Sequence, residues 1–402
     1  MSALHTDCLL PGVSDWFDEL VLIRRDFHQH PEEGFNTERT CGVIVERLKS
    51  WGVKYIDTEM VKGCVVAVIN GLRPGVTIGF RGDIDCLPMD DTSGTSWASI
   101  NPGKGHCCGH DGHTTWTLGV ARWFAENRDF PGRVVMIFQA AEEKAIGAKA
   151  LVEAGIIEKF NIVEIYAAHS EPNLPAGQFG IKPGPLQASA DAFYATIYGT
   201  GAHGGRPHQG IDPIPVAGQI IGAVQTLVSR KIDPMETAVV SICSVNAGRY
   251  EAMNVIPSQC TLSGTVRTFL PEVRDMIEDK LKTMVTGIAE VNGCQADFEY
   301  RRLVSAVINN DTLAEEAITV TDELLGAGHT VRIPAFMSSE DFSEFMTKVP
   351  GLVVRVGQTD THHHANLHNG AFDFNDDVLA IAVSVLANIV NKRLNHYAIS
   401  NY

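Results

Sequence analysis

One run of nine residues, 105–113, holds two cysteines, three histidines and a carboxylate. Thiolate and imidazole are the ligands that borderline transition metals prefer, and glycine lets a backbone fold tightly around an ion. Four further candidate ligands or bases, Glu142, Glu143, His169 and His368, each follow an apolar run. Together these residues predict an open, catalytic metal site. The alternative is a structural zinc loop, but such loops pair two cysteine-containing hooks and the sequence offers no second hook.

Short apolar runs alternate with helical patterns along most of the chain. The runs are 64–69, 76–80, 134–138, 162–167 and 352–356, and the main helical patterns are 15–28, 36–51, 114–127, 147–154, 311–326 and 375–394. Such an order predicts an α/β fold with a largely parallel sheet that is covered by helices on both faces. Sites in such sheets form outside the carboxyl ends of the strands, so the polar residues that follow the runs should converge there.

The pattern changes between residues 188 and 302. Strand-like and helix-like segments follow one another there as β-α-β-β-α-β, which is the ferredoxin-like arrangement. We therefore expect a metal-binding catalytic domain at 1–187 and 303–402. A second α+β domain at 188–302 is inserted into it. The length of 402 residues agrees with two domains.

Composition excludes several classes of partner. The formal net charge of -16 argues against a nucleic acid or an anionic membrane, both of which require a basic face. No segment reaches the ~20 apolar residues that span a bilayer. Residues 1–15 are not a secretion signal, because they lack its apolar core and basic flank. The nine cysteines, an odd number scattered over a long chain, predict reduced thiols and a cytoplasmic location.

Several short motifs, in this order, resemble those of the metal-dependent amidohydrolases that are related to aminoacylase and the zinc carboxypeptidases. They are RGDIDCLP at 81–88, CGHDGH at 108–113, FQAAEE at 138–143, GAH at 201–203, NVIP at 254–257, GTVRTF at 264–269, SEDF at 339–342 and LHN at 367–369. The branch with hippurate hydrolase and the indole-acetyl amino-acid hydrolases is the most similar. The resemblance implies a zinc-peptidase-like sheet domain with an inserted ferredoxin-like lid.

The resemblance also implies the roles of the site residues. One or two divalent metals, Mn²⁺ or Zn²⁺ with Co²⁺ as a further candidate, would be held by the five ligands Cys108, His110, Glu143, His169 and His368. Glu142 would be the general base. A metal that lowers the pKa of its water and a carboxylate that carries the proton agree with this chemistry. Asp111 is expected to orient a ligand histidine from behind.

The lid has its own implied residues. The histidine that matches His203 reaches the active site of a partner subunit in this family and stabilises the oxyanion, which predicts a homodimer or a higher homo-oligomer. Asn254 with Arg267 or Arg301 would hold the carboxylate of a small substrate. A simple turn remains the alternative for His203.

Some residue types at the site leave their roles open. Asp83 and Asp85 are either turn formers or partners of the metal ligands, and His106 and His113 are either loop histidines or ligands. The sequence also departs from the family pattern where the pocket is built. Ala141 replaces a proline, and three further stretches differ, namely 105–107, 144–146 and 304–305. The metal ligands are kept, so we expect the same chemistry on an unusual substrate.

The leading function is hydrolysis of the amide of an N-acyl or N-aroyl amino acid by metal-activated water. The first alternative is hydrolytic deamination of an activated aminobenzoate such as 5-nitroanthranilate, which would release ammonia. The family resemblance includes a specialised enzyme of that kind. The second alternative is a catalytically silent binding protein on the same fold, which would lack a metal ligand or Glu142, and the sequence has them all.

Overall fold

The computed structural model describes residues 8–400, so part of the N-terminal segment 1–15 lies outside the described residues. The chain divides into two compact units. The first consists of Met1–Leu186, Ile308–Pro334 and Asp341–Tyr402, and the second of Gln187–Val307 and Ala335–Glu340. Residues 335–340, which we expected in the catalytic domain, thus group with the second unit. The roles assigned to the two domains stay predictions.

The described residues form sixteen strands and ten α-helices. The strands are β1 (Tyr55–Asp57), β2 (Val65–Asn70), β3 (Arg73–Asp83), β4 (Pro131–Gln139), β5 (Ile162–Pro175), β6 (Phe179–Gly180), β7 (Gly184–Gln187), β8 (Ala190–Tyr198), β9 (Ala202–His203), β10 (Ala238–Ala247), β11 (Val255–Ile256), β12 (Gln259–Thr268), β13 (Gln295–Val304), β14 (Val307–Asn309), β15 (Thr330–Val331) and β16 (Gly351–Thr359). The helices are α1 (Phe17–Gln29), α2 (Glu38–Ser50), α3 (His110–Glu126), α4 (Gly147–Glu153), α5 (Ile156–Phe160), α6 (Pro213–Lys231), α7 (Pro271–Val291), α8 (Asp311–Leu325), α9 (Ser343–Met346) and α10 (Leu379–Ser400).

A mixed sheet of eight strands forms the centre of the first unit, in the order β1-β2-β4-β3-β5-β16-β6-β15. The four central strands β4, β3, β5 and β16 run parallel to one another. Their apolar side chains are almost fully buried, as expected for strands that are covered on both faces. Glu142 and Glu143 follow β4, and His368 follows β16, whereas His169 lies within β5. The sheet therefore brings these residues together near the carboxyl ends of its central strands. The predicted α/β fold is confirmed.

Helix α3 begins at His110, four residues before the start that the periodicity predicted. Gly109 precedes the helix with a φ of +85°, in the left-handed region that favours glycine. A Cβ at this position would lie 2.8 Å from Ser170 Oγ. The early start places His110 and His113 in the first helical turn, three residues apart and on one side of the helix.

The second unit contains a four-stranded antiparallel sheet in the order β10-β12-β8-β13. Its helices α6 and α7 pack on one face of that sheet, where Phe193, Ile220, Val266 and Leu281 belong to a buried cluster. Strands and helices follow one another as β8-α6-β10-β12-α7-β13, which confirms the ferredoxin-like arrangement. Strands β10 and β13 form the two edges of the sheet.

Among the described residues, no helix combines the length and apolar character needed to cross a bilayer. All nine cysteines are free thiols.

Candidate active site

The glutamate pair lies in a tight turn just after β4. Ala141 and Ala145, on either side of the pair, both have left-handed φ values, of 59° and 56°. The amide of Glu142 donates to Asp85 Oδ1 at 3.1 Å, and the amide of Glu143 donates to Asp85 Oδ2 at 3.3 Å. The carboxylate of Asp85, two residues after the end of β3, therefore holds the backbone of both glutamates.

Two ligand histidines are oriented by main-chain carbonyl groups. His110 Nδ1 donates to the carbonyl of Asp85 at 2.9 Å, and His169 Nδ1 donates to the carbonyl of the next residue at 2.8 Å. These bonds leave the lone pair on each Nε2 atom. His110 Nε2 lies 3.7 Å from Glu143 Oε1, and His169 Nε2 lies 3.6 Å from Cys108 Sγ. Each histidine thus presents a ligand atom to another predicted ligand.

His368 completes the group from the loop after β16. Its amide donates to the carbonyl of Cys107 at 2.8 Å, which holds it beside Cys108, and its φ of 59° is left-handed. His368 Nε2 lies 3.7 Å from Glu143 Oε2. The side chain of His368 is 57% exposed, whereas that of Glu143 is 10% exposed. The cluster is therefore open on the side of His368, as a catalytic site requires.

The donor set fits a divalent transition metal. Ligand atoms of Cys108, Glu143 and His368 all lie within 4.8 Å of one another, and so do those of His110, Glu142 and Glu143. Within the described part of the chain, the buried atoms His110 Nε2 and Glu143 Oε1 have no hydrogen-bond partner. Buried polar atoms of this kind are rare without a ligand, and mixed thiolate, imidazole and carboxylate donors suit a borderline metal. Because Glu143 belongs to both groups, the arrangement also suits two ions.

The electrostatics of the cluster agree with a cation there. Burial raises the pKa of the Cys108 thiol well above its usual value, and Glu143 raises it further. A thiolate at Cys108 therefore requires a cation beside it. Burial lowers the pKa of His169 well below its usual value, so this imidazole is neutral and available as a ligand.

His113 is a buried partner of the donor cluster, and the sequence alone did not decide its role. His113 Nδ1 donates to Asp83 Oδ1 at 2.6 Å, and the amide of Ser170 donates to His113 Nε2 at 2.9 Å. The ring of His113 stacks on Trp116 with centroids 4.6 Å apart. This histidine therefore joins the end of β3 to the strand that carries His169. The only sequence signal was the spacing of three residues from His110.

The expected role of Asp111 is wrong. Asp111 accepts from His28 Nδ1 at 2.7 Å and lies 3.5 Å from Arg24 Nη1, so it faces helix α1. The carbonyl of Asp85 orients His110 instead. The reason is the early start of α3, which turns Asp111 away from the ligands. His106 is buried, and among the described residues neither of its ring nitrogens has a hydrogen-bond partner.

The remaining predicted residues lie in the second unit. His203 is exposed in β9, and the amide of Gly204 donates to the carbonyl of Asn254 at 2.7 Å, so the structure brings His203 and Asn254 close together. Arg267 lies in β12 and Arg301 in β13. Their roles toward a substrate stay predictions.

The sequence model of peptidase family M20/M25/M40 matches residues 79–392 of this chain. The chain belongs to this family. It is 37% identical over 371 residues to the N-acetylcysteine deacetylase of Bacillus subtilis, with 92% of this chain and 95% of the relative covered. It is 34% identical over 388 residues to the hippurate hydrolase of Campylobacter jejuni, with 96% and 99% covered. A dinuclear metal binding peptidase of the M20 family from Bacillus subtilis has a solved structure that superposes with a TM-score of 0.84. The two chains are 34% identical, and the match covers 95% of this chain and 99% of that one.

The family confirms the resemblance that the motifs indicated. Together with the donor cluster, the family identifies a metal-dependent hydrolase that cleaves C–N bonds. It argues against the alternative of a catalytically silent binding protein on this fold.

Proposed function

We propose that this protein hydrolyses the amide bond of a small N-acyl or N-aroyl amino acid, with Glu142 as general base. The observation that supports this most is the position of Glu142 beside the donors. Its Oε2 atom lies 3.9 Å from His110 Nε2, while the adjacent Glu143 belongs to both donor groups. A carboxylate placed there takes a proton from the attacking water and passes it to the leaving nitrogen. Two of the similar proteins are named for N-acetylcysteine and for hippurate, which are N-acyl amino acids.

The proposed cofactor is one or two Mn²⁺ or Zn²⁺ ions, with Co²⁺ as a further candidate. Cys108, His110, Glu143, His169 and His368 would hold it. When bound, the cation lowers the pKa of a water molecule and polarises the amide carbonyl. The protein then supplies orientation. The Asp85 carboxylate fixes the backbone of the glutamate pair, and main-chain carbonyls fix the two histidine rings.

We also propose a cytoplasmic homodimer or higher homo-oligomer. The edge strand β10 of the second unit supports this, because Cys243 and Val245 are exposed along it and an exposed edge invites strand pairing. In the proposed assembly, His203 stabilises the oxyanion. Asn254, Arg267 and Arg301 are the candidates of this unit for the substrate carboxylate.

The turn after the glutamate pair supports the second candidate, deamination of an activated aminobenzoate. This turn holds Lys144, whose Nζ lies 2.9 Å from Glu33 Oε1, where the family has a glycine-rich segment. A different wall beside the same metal ligands selects a different substrate shape.

Product analysis by mass spectrometry tests both candidates. The protein, with its metal content verified, is offered N-acyl amino acids, N-aroyl amino acids and substituted aminobenzoates. We expect a free amino acid and a carboxylic acid. A hydroxybenzoate with ammonia would instead establish deamination. Turnover of neither class by the metal-loaded protein would refute both.

A further inference from the structure

The predicted ligand His368 lies in a long loop between strand β16 and helix α10. All residues of this loop, 360–375, are described, and they form neither α-helix nor strand. Loops of such length are uncommon in compact domains unless they serve a function or are disordered. His368 is 57% exposed, and its φ of 59° is unfavourable for a residue other than glycine. The surrounding structure must therefore hold the loop if His368 is to stay among the donors.

Asn375 closes this loop at its neck. Its Nδ2 atom donates to the main-chain carbonyl of Gln358 at 3.1 Å and to Asp360 Oδ2 at 3.0 Å. In return, the main-chain amide of Asn375 donates to Gln358 Oε1 at 3.0 Å. Gln358 and Asn375 are each 1% exposed, so water does not compete for these bonds. The strand that enters the loop and the segment that leaves it are thus joined through Asn375.

Asp360 extends the neck into the first turn of the loop. Its Oδ1 atom accepts from the amides of His362 and His363, both at 2.7 Å, and from His363 Nδ1 at 2.9 Å. Burial alone would raise the pKa of Asp360, but these bonds outweigh it and lower the pKa below its usual value. Asp360 is therefore a carboxylate in the folded protein, and its Oδ2 atom accepts the bond from Asn375.

The far side of the loop is attached beside the metal donors. The amide of His368 donates to the carbonyl of Cys107 at 2.8 Å, and the amide of Thr92 donates to the carbonyl of Gly370 at 2.6 Å. The loop is therefore fixed at its neck and again at His368 and Gly370. The segment 361–367 is held between these two places. A left-handed residue such as His368 persists only where the surrounding structure determines its conformation, so both attachments contribute to it.

Asn375 also has a purely structural role. Its Oδ1 atom accepts from the amide of Asp377 at 3.0 Å, which caps the short helical turn before α10. Removing the whole side chain would therefore damage the helix start and the loop neck together. Exchanging only the Nδ2 atom for an oxygen affects the neck alone, because the capping oxygen is kept.

We propose that Asn375 is a positioning residue that keeps His368 in the metal site by closing this loop. Asn375 acts through Gln358 and Asp360 on the loop backbone. The proposal rests on the proposed metal site, because it names what holds one of the ligands of that site in place. It concerns metal affinity and therefore does not depend on which substrate is cleaved.

An exchange of one atom tests the proposal. Asn375→Asp keeps the cap but places an oxygen opposite the Gln358 carbonyl and the Asp360 carboxylate, where a donor is required. Affinity for Mn²⁺ and Zn²⁺ is measured by competition with a fluorescent chelator. We expect the dissociation constant to rise about 10-fold, at the lower end of the effect of groups that orient metal ligands. Asp360→Asn breaks the same bond from the other side and should give a similar loss.

The reciprocal pair, Asn375→Asp with Asp360→Asn, separates positioning from general damage. It restores one donor and one acceptor between positions 360 and 375 at unchanged net charge. We expect the affinity to recover to within about 3-fold of wild type, since only the Gln358 carbonyl still lacks its donor. Independent losses would instead multiply to about 100-fold. If Asn375→Asp does not fold, Asp360→Asn and the reciprocal pair carry the test.

Asn309→Asp is the matched control. Asn309 is equally buried, and its Nδ2 atom donates to the carbonyls of Lys182 and Val353 at 2.9 and 3.2 Å. The variant should lower the thermal midpoint but bind metal as the wild type does. Midpoints are recorded in the presence of a chelator for every variant, so that stability and metal affinity are measured separately.

Three results would overturn the proposal. They are wild-type affinity in both Asn375→Asp and Asp360→Asn, losses that multiply in the reciprocal pair, and an equal loss of affinity in Asn309→Asp. His368→Ala identifies a failure of the proposed metal site itself: wild-type affinity in this variant would remove His368 from the ligand set and the positioning proposal with it. Because none of these measurements uses turnover, an absence of amide hydrolysis would refute the proposed substrate class alone.

Discussion

Glu142 and Glu143 have identical side chains but different surroundings. Glu143 presents one oxygen toward His110 and the other toward His368, so it bridges the two donor groups. Glu142 presents its Oε2 atom to His110 Nε2, at 3.9 Å. Adjacent residues in a turn held by Asp85 can therefore serve as ligand and as base, and exchanging their roles would require a different turn.

Replacing Glu142 by glutamine tests this division of roles. Glu142→Gln keeps the shape but removes the proton acceptor, so we expect kcat to fall by about 10²–10⁴-fold. Metal content, measured by elemental analysis, should stay at the wild-type level. Glu323→Gln, a change in an exposed pair with Lys392, is the control. Wild-type turnover by Glu142→Gln would remove this residue from the mechanism.

His113 connects two strand ends without being in the predicted ligand set. Replacing it by phenylalanine keeps an aromatic ring against Trp116 but removes the bonds to Asp83 and to the Ser170 amide. Groups that hold metal ligands in place typically contribute 10–100-fold to metal affinity. We expect about this loss for His113→Phe, measured by competition with a fluorescent chelator. An unchanged dissociation constant would show that β3 and β5 are held without this histidine.

Residue types at strand ends were enough to predict the donor cluster, because a parallel sheet brings its carboxyl ends together. The partners of those residues were not predictable in the same way. Asp83, Asp85 and Asp111 are chemically equal in the sequence. The end of β3 and the start of α3 decide which of them face the ligands.

Helix α3 carries His110 and packs closely against α10. A Cβ on Gly119 would lie 2.4 Å from Val383 Cγ2, so the two helices meet at this glycine. We expect Gly119→Ala to lower the free energy of unfolding by about 1–3 kcal/mol, because overpacking outweighs the gain in helix propensity. The measurement is chemical denaturation followed by circular dichroism.

Gly222 in α6 is the matched control for that substitution. No atom lies within 4 Å of a Cβ at this position. Gly222→Ala should therefore raise the stability of its helix by about 0.4–1 kcal/mol. Equal effects of the two substitutions would contradict the close packing of α3.

Helices α1 and α3 are joined by a buried ion pair between His28 and Asp111. Burial alone would lower the pKa of His28, but Asp111 and Asp91 outweigh it and raise the pKa to about 9, against the smaller opposing effect of Arg24. A raised folded-state pKa gives stability that is fully present below the unfolded value of about 6.5 and is lost as the pH rises through about 9.

We therefore expect the free energy of unfolding to fall by up to about 3 kcal/mol between pH 6.5 and 9. Chemical denaturation of the protein in the presence of a chelator measures this decline. Without bound metal, the pH dependence of metal binding does not contribute to it. His28→Gln should be less stable at pH 6 and should lack this decline. A parallel decline in both proteins would assign it to other groups.

Both sheets were predictable from the sequence, because their hydrophobic periods differ. The buried strands β4 and β16 read as continuous apolar runs, whereas β8 alternates in burial. The ends of helices and strands were predicted less accurately, and residues 335–340 group with the second compact unit instead of the first. That short segment has no periodicity of its own, so only its tertiary contacts decide where it belongs.

At the scale of the whole molecule, a net charge of -16 attracts cations and repels anionic substrates. Local positive charge must therefore offset this field wherever an anion binds. A cation bound at the metal donors would supply such a positive charge. A strongly negative protein and the anionic substrate that we propose are thus compatible only through the composition of the site.

Metal removal should change the stability of the entire protein. A ligand that binds only the folded state adds about 2.7 kcal/mol at 100 times its dissociation constant and about 4 kcal/mol at 1,000 times. We expect chelation to lower the thermal midpoint, and Mn²⁺ or Zn²⁺ to restore it more effectively than Mg²⁺, because Cys108 and the histidines are soft or borderline donors. Scanning calorimetry measures the midpoint. Cys108→Ala should respond less to added metal, and a response equal to that of wild type would remove Cys108 from the ligand set.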